Sequence, residues 1–162
     1  ESVTCAGGKF FFDDDQQTPD TQLATFNFGD KAITWEHRTW NPRGFEGDSF
    51  RISFYGEQGV PVVSGDRSAI YDPKGAVVDE ATMDRGDVAH QQNFLAALRG
   101  EATLNSEIEE GYKSTLLCLL GNIAYRTGRT LRFDTTNRRI VGDTEQKALW
   151  QREYRSGWEP QV

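Results

Sequence analysis

Apolar and polar positions alternate through the first half of the chain and recur at helical spacing through the second. Val3 to Phe12 reads as a β-rich run interrupted at Gly7-Gly8, where a bulge or a close backbone approach is expected. Residues 13–20 (DDDQQTPD) are polar, end in Pro-Asp and read as a loop. Thr21 to Phe28 and Lys31 to Arg38 flank Gly29-Asp30, and such a two-residue connection predicts a hairpin because Gly tolerates the positive φ of a primed turn. In the second strand of that hairpin Ile33, Trp35 and His37 face one way, and Thr34, Glu36 and Arg38 the other. Residues 40–47 (WNPRGFEG) break the pattern. Ser49 to Tyr55, Val60 to Ser64, Ala69 to Asp72 and Ala76 to Val78 resume it, with a β-turn at Asp72-Pro-Lys-Gly75. The total is roughly six to eight strands, joined by short connections and therefore mainly antiparallel.

The period then changes. Asp87 is the expected N-cap of a helix reaching Arg99, with Phe94, Leu95 and Leu98 on one side and Gly100 as its stop. Ser106 and Glu109 have the spacing of a capping box opening a second helix that runs to about Thr127 before Gly128. Its main apolar stripe is Ile108, Tyr112, Leu116, Leu119 and Ile123, widened by Leu117, Leu120 and Ala124, which predicts burial on more than one side. Gly111 and Gly121 weaken the helix, so close packing or a close ligand is expected at one of them. Thr130 to Phe133 reads as a short strand, residues 143–149 as a short helix, and the remainder as an extended arm carrying Trp150, Tyr154 and Trp158. Strands first and helices later predict a single α+β domain over residues 1–162: a mainly antiparallel open sheet with helices on one face.

Composition narrows the function. The chain has 18 basic and 25 acidic residues, a net charge of −7, so it has no general attraction to phosphate backbones and nucleic acid is not an expected partner. No apolar run reaches the roughly 18 residues a membrane span needs. Cys5 and Cys118 are too few for a disulfide scaffold, and Cys118, inside an apolar helical run, reads as a small buried hydrophobe. With His37 and His90 the only histidines and no C-x-x-C, no metal site is expected. Residues 13–15 imitate a calcium loop only superficially, with Thr18 where glycine is required. Gly7-Gly8 and Gly44-x-x-Gly47 lack the strand–turn–helix setting of a pyrophosphate site, and neither a nucleophile elbow nor H-E-x-x-H is present. No catalytic residue and no cofactor-binding residue is assigned to this chain.

Four stretches, GGKFFFDDDQQTPDTQLATFNF, ITWEHRTWNPRGFEGDSFRISFYGEQG, NFLAALRG and IEEGYKSTLLCLLGNIAYRTGRTLRFD, cover most of residues 7–134. In them the chain resembles the C-terminal domain of the Gfo/Idh/MocA family of NAD(P)-dependent oxidoreductases, in its bacterial-type branch. The resemblance implies an N-terminal Rossmann domain, outside this sequence, that holds NAD or NADP, and a C-terminal α+β domain that binds substrate and oligomerises through an open sheet. The glycine-rich fingerprint, the Glu-Lys-Pro lysine and the Asp-x-x-x-His helix of that family are absent here: four residues after Asp87 stands Gln91, and His90 is one place early. The start of the chain, already strand-like at Ser2, reads as a cut through a longer protein. Localisation is left open, because an export signal would lie upstream.

The implied role is the substrate-binding and oligomerisation domain of an oxidoreductase acting on a sugar or polyol, inactive by itself. The alternatives are a domain of an NAD-dependent glycosidase of the same superfamily and a non-catalytic carbohydrate-binding or dimerisation module. Arg38, Trp40, Asn41, Arg43 and His90 are the candidate substrate contacts. Trp40 and Phe45 offer planar surfaces for a sugar ring and Asn41 and Arg43 offer donors, against the alternative of a crossover loop whose aromatics anchor it to the sheet. His37 reads as a hydrogen-bonded core histidine before it reads as an acid–base group, and Lys113 as a solvated lysine.

Overall fold

The described residues form nine strands in two antiparallel sheets, seven from the alternating first half of the sequence and two from residues 131–141. In this computed structural model the described residues are 1–45, 47–84, 86–142, 144–150 and 152–159. They fall into two compact units: residues 1–40 with 108 onward, and residues 41–107.

The first unit contains β1 (Ser2–Gly8), β2 (Thr21–Asn27), β3 (Ala32–Arg38), α2 (Ile108–Thr127), β8 (Leu131–Asp134), β9 (Arg139–Val141) and α3 (Thr144–Ala148). Its sheet runs β3-β2-β1-β8-β9, every pair antiparallel. The β2–β3 hairpin turns at Gly29-Asp30, with Gly29 at φ 89° and the Phe28 N–H donating to the Lys31 carbonyl. Gly7-Gly8 holds no bulge, and β1 pairs with β2 without a slip. Glycine is needed at position 7 for close approach: a Cβ there would lie 2.3 Å from the Thr21 carbonyl oxygen.

Period 2 sorts the two faces of this sheet. Val3, Ala24, Phe26, Leu131, Phe133 and Ile140 share the face covered by α2 and make the core with Leu120, Ile123 and Ala124. Ile33, Trp35 and His37 belong to the same face by register, but β3 is the edge strand, and Trp35 remains 51 % exposed. The opposite face is polar and open, with Thr4, Thr25 and Thr34 in one cross-strand row and Leu23 opposite Glu36 in the next. Buried Gln146 on α3 donates towards Thr127 Oγ1 and the carbonyls of Arg129 and Thr130, tying α3 to the turn after α2.

The stripe expected on α2 is rotated. Ile108 and Leu119 are exposed, at 87 % and 52 %, while Leu120, Gly121, Ile123 and Ala124 are buried. The helix meets the sheet along its Leu117–Leu120–Ala124 side, with Gly121 over Phe26 and Ala24, which a Cβ there would meet in ordinary contact at 3.6 and 3.9 Å. That rotation turns Cys118 outward, correcting its expected burial, and its thiol lies near the Ser114 carbonyl. Cys5 and Cys118 are both free thiols. The capping box is also corrected: α2 opens at Ile108, and Glu109 accepts from Arg138 at 2.6 Å instead of reaching back. Nothing lies within 4 Å of a Cβ at Gly111. Gly111→Ala is therefore expected to stabilise the protein by about 0.5–1 kcal/mol through helix propensity. A raised urea midpoint checks this, and a lowered one would mean that something packs on that turn.

The second unit contains β4 (Ile52–Ser53), β5 (Val60–Ser64), β6 (Arg67–Tyr71), β7 (Val77–Thr82) and α1 (Asp87–Leu98), with sheet order β4-β5-β6-β7. The strand expected over Ser49 to Tyr55 shrinks to β4, with isolated bridges on either side of the expected span at Phe45–Asp48 and Gly56–Gly59. The turn at Asp72 to Gly75 forms, closed by the Gly75 N–H on the Asp72 carbonyl. Asp87 is the first residue of α1 and not its cap. Gly86, left-handed at φ 76°, stands at the N-cap with no side-chain bond. Asn93 clamps the loop after α1, its amide donating to the Thr103 carbonyl and its oxygen accepting the Asn105 N–H. No helix among the described residues is long and apolar enough to cross a membrane.

Candidate functional site

Phe10, Phe11 and Phe12 leave the strand that the sequence suggests, because a side chain competes for their backbone. β1 stops at Gly8, and the Asp20 carboxylate accepts the N–H groups of Phe10, Phe11 and Phe12 at 2.8–3.1 Å. The Thr21 hydroxyl donates to the same carboxylate at 2.9 Å. Asp20 is only 1 % exposed. Burial alone would raise its pKa, but the three backbone donors and Thr21 outweigh that effect and hold it at about 2.

The same residue joins three segments. The Asp20 N–H donates to the Gly8 carbonyl, and the Asp20 carbonyl accepts from the Thr39 N–H at 2.9 Å. Thr21 carries the link onward, since its Oγ1 accepts the Trp40 indole N–H at 3.0 Å. The Phe11 ring then stacks on Trp40, centroids 5.1 Å apart and planes 16° apart, while Phe12 stands edge-on to Phe11 at 5.2 Å. A buried carboxylate, a hydroxyl and an indole therefore fix an aromatic surface of which Phe11 is 63 % exposed. Lys9 pairs with Asp14 at 2.6 Å further along the loop.

Trp40 belongs to this aromatic surface, with its indole N–H already engaged. Arg38 lies on the open sheet face and pairs with Glu36. His37, half-buried, accepts the Trp35 indole N–H on Nδ1 at 3.0 Å, which leaves Nε2 to donate to the Pro19 carbonyl at 3.3 Å. It acts as a clasp on the loop. Asn41, Arg43 and His90 belong to the second unit. Asn41 Oδ1 accepts the Arg43 N–H in a local turn, and Arg43 and His90 are exposed. Lys113 is an exposed partner of Glu110, whose hydrogen bond and charge raise its pKa. The second unit also has an open cleft of about 490 Å3 with a mixed lining that includes Asp48, Arg67, Glu80, Val62, Ala69 and Val77, none of them expected from the sequence.

Asp87 occupies the first turn of α1, and Glu109 and Glu110 that of α2, where all three complement the helix dipole and Glu109 and Glu110 pair with Arg138 and Lys113. Gly7-Gly8 lies within antiparallel pairing, far from the strand-to-helix turn a pyrophosphate site requires.

A family model described as oxidoreductase family, C-terminal alpha/beta domain, matches residues 54–160. The chain belongs to the C-terminal domain family of the Gfo/Idh/MocA oxidoreductases. A protein from Thermotoga maritima, provisionally described as an oxidoreductase, has a solved structure similar to this domain over 80 % of the present chain, with a TM-score of 0.63 and 20 % identity. One from Klebsiella pneumoniae, described in the same way, is similar over 92 % with a TM-score of 0.58 and 12 % identity. At those identities the likeness carries the fold alone. The chain spans 39 % and 46 % of the two proteins' lengths. Among curated proteins none matches the sequence. As a C-terminal domain of this family, the chain has the α+β architecture that its resemblance implies.

Proposed function

We propose that this domain is the substrate side of an NAD(P)-dependent oxidoreductase acting on a sugar or polyol, within a longer protein whose N-terminal Rossmann domain holds the cofactor. The family match to a C-terminal domain carries this reading, because it makes the chain one part of an oxidoreductase. The nicotinamide supplies hydride chemistry where it is bound; this domain's share is to hold the substrate in register and keep water from it. In the first unit Trp40 and Arg38 are the candidate contacts, and in the second unit, taken by itself, Asn41, Arg43 and His90 are the candidates. A second copy of the chain is the proposed partner of the open sheet face, whose threonine row and Leu23 stand uncovered. Sedimentation of the longer protein tests that pairing, and a strict monomer rejects it.

The decisive assay follows nicotinamide absorbance with the longer protein, NAD or NADP, and a panel of sugars and polyols. Substrate-dependent reduction is expected. Cleavage of a glycoside without net reduced cofactor would favour the NAD-dependent glycosidase instead. Sugar binding with neither reaction would favour a carbohydrate-binding module.

A further inference from the structure

We propose that the free edge of β3 pairs with the same edge of a second copy of this chain, antiparallel and with the two-fold axis at Trp35. β3 ends its sheet, and no strand among the described residues pairs with its outer side. Hydrogen bonds at both ends fix which residues face that side: the Phe28 N–H donates to the Lys31 carbonyl, and the Thr39 N–H to the Asp20 carbonyl. Antiparallel bonding alternates between these ends, so Ile33, Trp35 and His37 bond inward to β2. Ala32, Thr34, Glu36 and Arg38 turn N–H and C=O outward. Sheet edges are usually blunted by a proline, an interior lysine or a bulge. β3 has none of these: it runs from Ala32 to Arg38 (AITWEHR) in unbroken register with β2.

One register satisfies every outward group of both strands. With the axis at Trp35, Ala32 faces the partner's Arg38 and Thr34 faces the partner's Glu36, and the two-fold repeats both pairs. Moving the axis to Thr34 leaves Arg38 unmatched, and moving it to Glu36 sets that carboxylate against the partner's Glu36. With the axis at Trp35 no like charges oppose, and Glu36 keeps its own Arg38. Trp35 then meets the partner's Trp35 as a non-hydrogen-bonded pair, the closer of the two antiparallel types, and the exposed Ile33 meets the partner's His37. The Trp35 indole N–H is already held by His37 Nδ1, so the pairing strands no indole donor. A strand pair of this length is smaller than a standard interface, so the dimer is expected to dissociate on dilution. It uses the edge of the sheet and not its open face, so the two pairings can be broken separately.

The test uses the longer protein at high and at low concentration. In residue-resolved hydrogen exchange the amides of Thr34 and Glu36 should be protected at high concentration only, and those of Ile33 and Trp35 at both. Trp35→Cys, with the exposed Cys118 changed to serine, should oxidise to a reducible dimer linked at position 35, where a non-hydrogen-bonded pair sets the Cα atoms about 4.5 Å apart. Ala32→Cys in the same background should not, because the two copies of residue 32 lie about 20 Å apart in this register. Thr34→Pro removes an outward N–H from each copy without touching the bonds to β2, and should weaken dimerisation at least about tenfold. Should Thr34→Pro fail to fold, exchange and cross-linking decide alone. Protection of Thr34 and Glu36 at both concentrations overturns the proposal, since another part of the same protein would then cover the edge. So does rapid exchange at both, or cross-linking of Ala32→Cys as readily as Trp35→Cys. Assembly lost in Leu23→Lys but intact in Thr34→Pro also overturns it, by assigning the contact to the open face.

Discussion

Asp20→Asn is expected to lower the melting temperature by several degrees and to loosen the loop of residues 9–19 that its carboxylate holds. Asparagine is nearly the same shape, so the loss is electronic. One carboxylate oxygen becomes an NH2 group, a donor facing donors, among the N–H groups of Phe10, Phe11 and Phe12 and the Thr21 hydroxyl. An unsatisfied donor buried at this junction is the costly case of hydrogen bonding. Thr21 and Trp40 hang on the same carboxylate, so the change should also increase hydrogen exchange at Phe10–Phe12 and alter Trp40 fluorescence. Acid should reproduce the effect. The folded-state pKa, about 2, lies below the ordinary value of 3.8, so this contribution is complete above pH 3.8 and is lost as pH falls towards 2. A melting temperature for Asp20→Asn equal to that of wild type, with no difference in acid sensitivity, would contradict the role given to this residue.

Gly7→Ala should destabilise the protein by about 1–3 kcal/mol or more, through forced separation of two central strands. The added methyl would sit 2.3 Å from the Thr21 carbonyl oxygen and 2.9 Å from the Gln22 Cα, backbone atoms that no rotamer change can move. Gly7 pairs with Gln22, beside the point where Asp20 leaves the loop for β2, so the strain is delivered next to the carboxylate that holds Phe11. For a chain of this size each kcal/mol corresponds to roughly 2–4 °C in melting temperature. Urea unfolding of Gly7→Ala beside Gly111→Ala separates a steric glycine from one that only weakens a helix.

Local signals carried much of this fold. Gly29-Asp30 announced its hairpin because the turn needs a positive φ, and the change from period 2 to helical spacing marked where strands give way to helices. The division of strands between two sheets was not legible, since it depends on pairing between distant segments. The side of α2 that is buried was ambiguous for a related reason. Leu119 and Leu120 both fit a broad stripe, and only packing against Phe26, Ala24 and Leu131, residues distant in sequence, buries one and not the other. At the site, Trp40 stood out as an aromatic in an irregular segment, but its partner Phe11 was read into a strand. The cause is Asp20, which looked like one more acid in a polar loop. A run of three phenylalanines leading into acids and closed by Pro-Asp at a strand start was the available hint: such a run cannot stay paired unless both faces are covered. Arg38 and His37 alternated as expected, yet alternation could not reveal that one pairs with Glu36 and the other clasps Pro19.

Hydrogen exchange of the longer protein, with nicotinamide cofactor and with a methyl pyranoside added separately, tests the division of labour most directly. Cofactor should protect amides outside these 162 residues, and the sugar should protect the segment from Phe10 to Trp40 within them. Strong protection by the cofactor confined to this domain, with the aromatic loop indifferent to sugar, would contradict it.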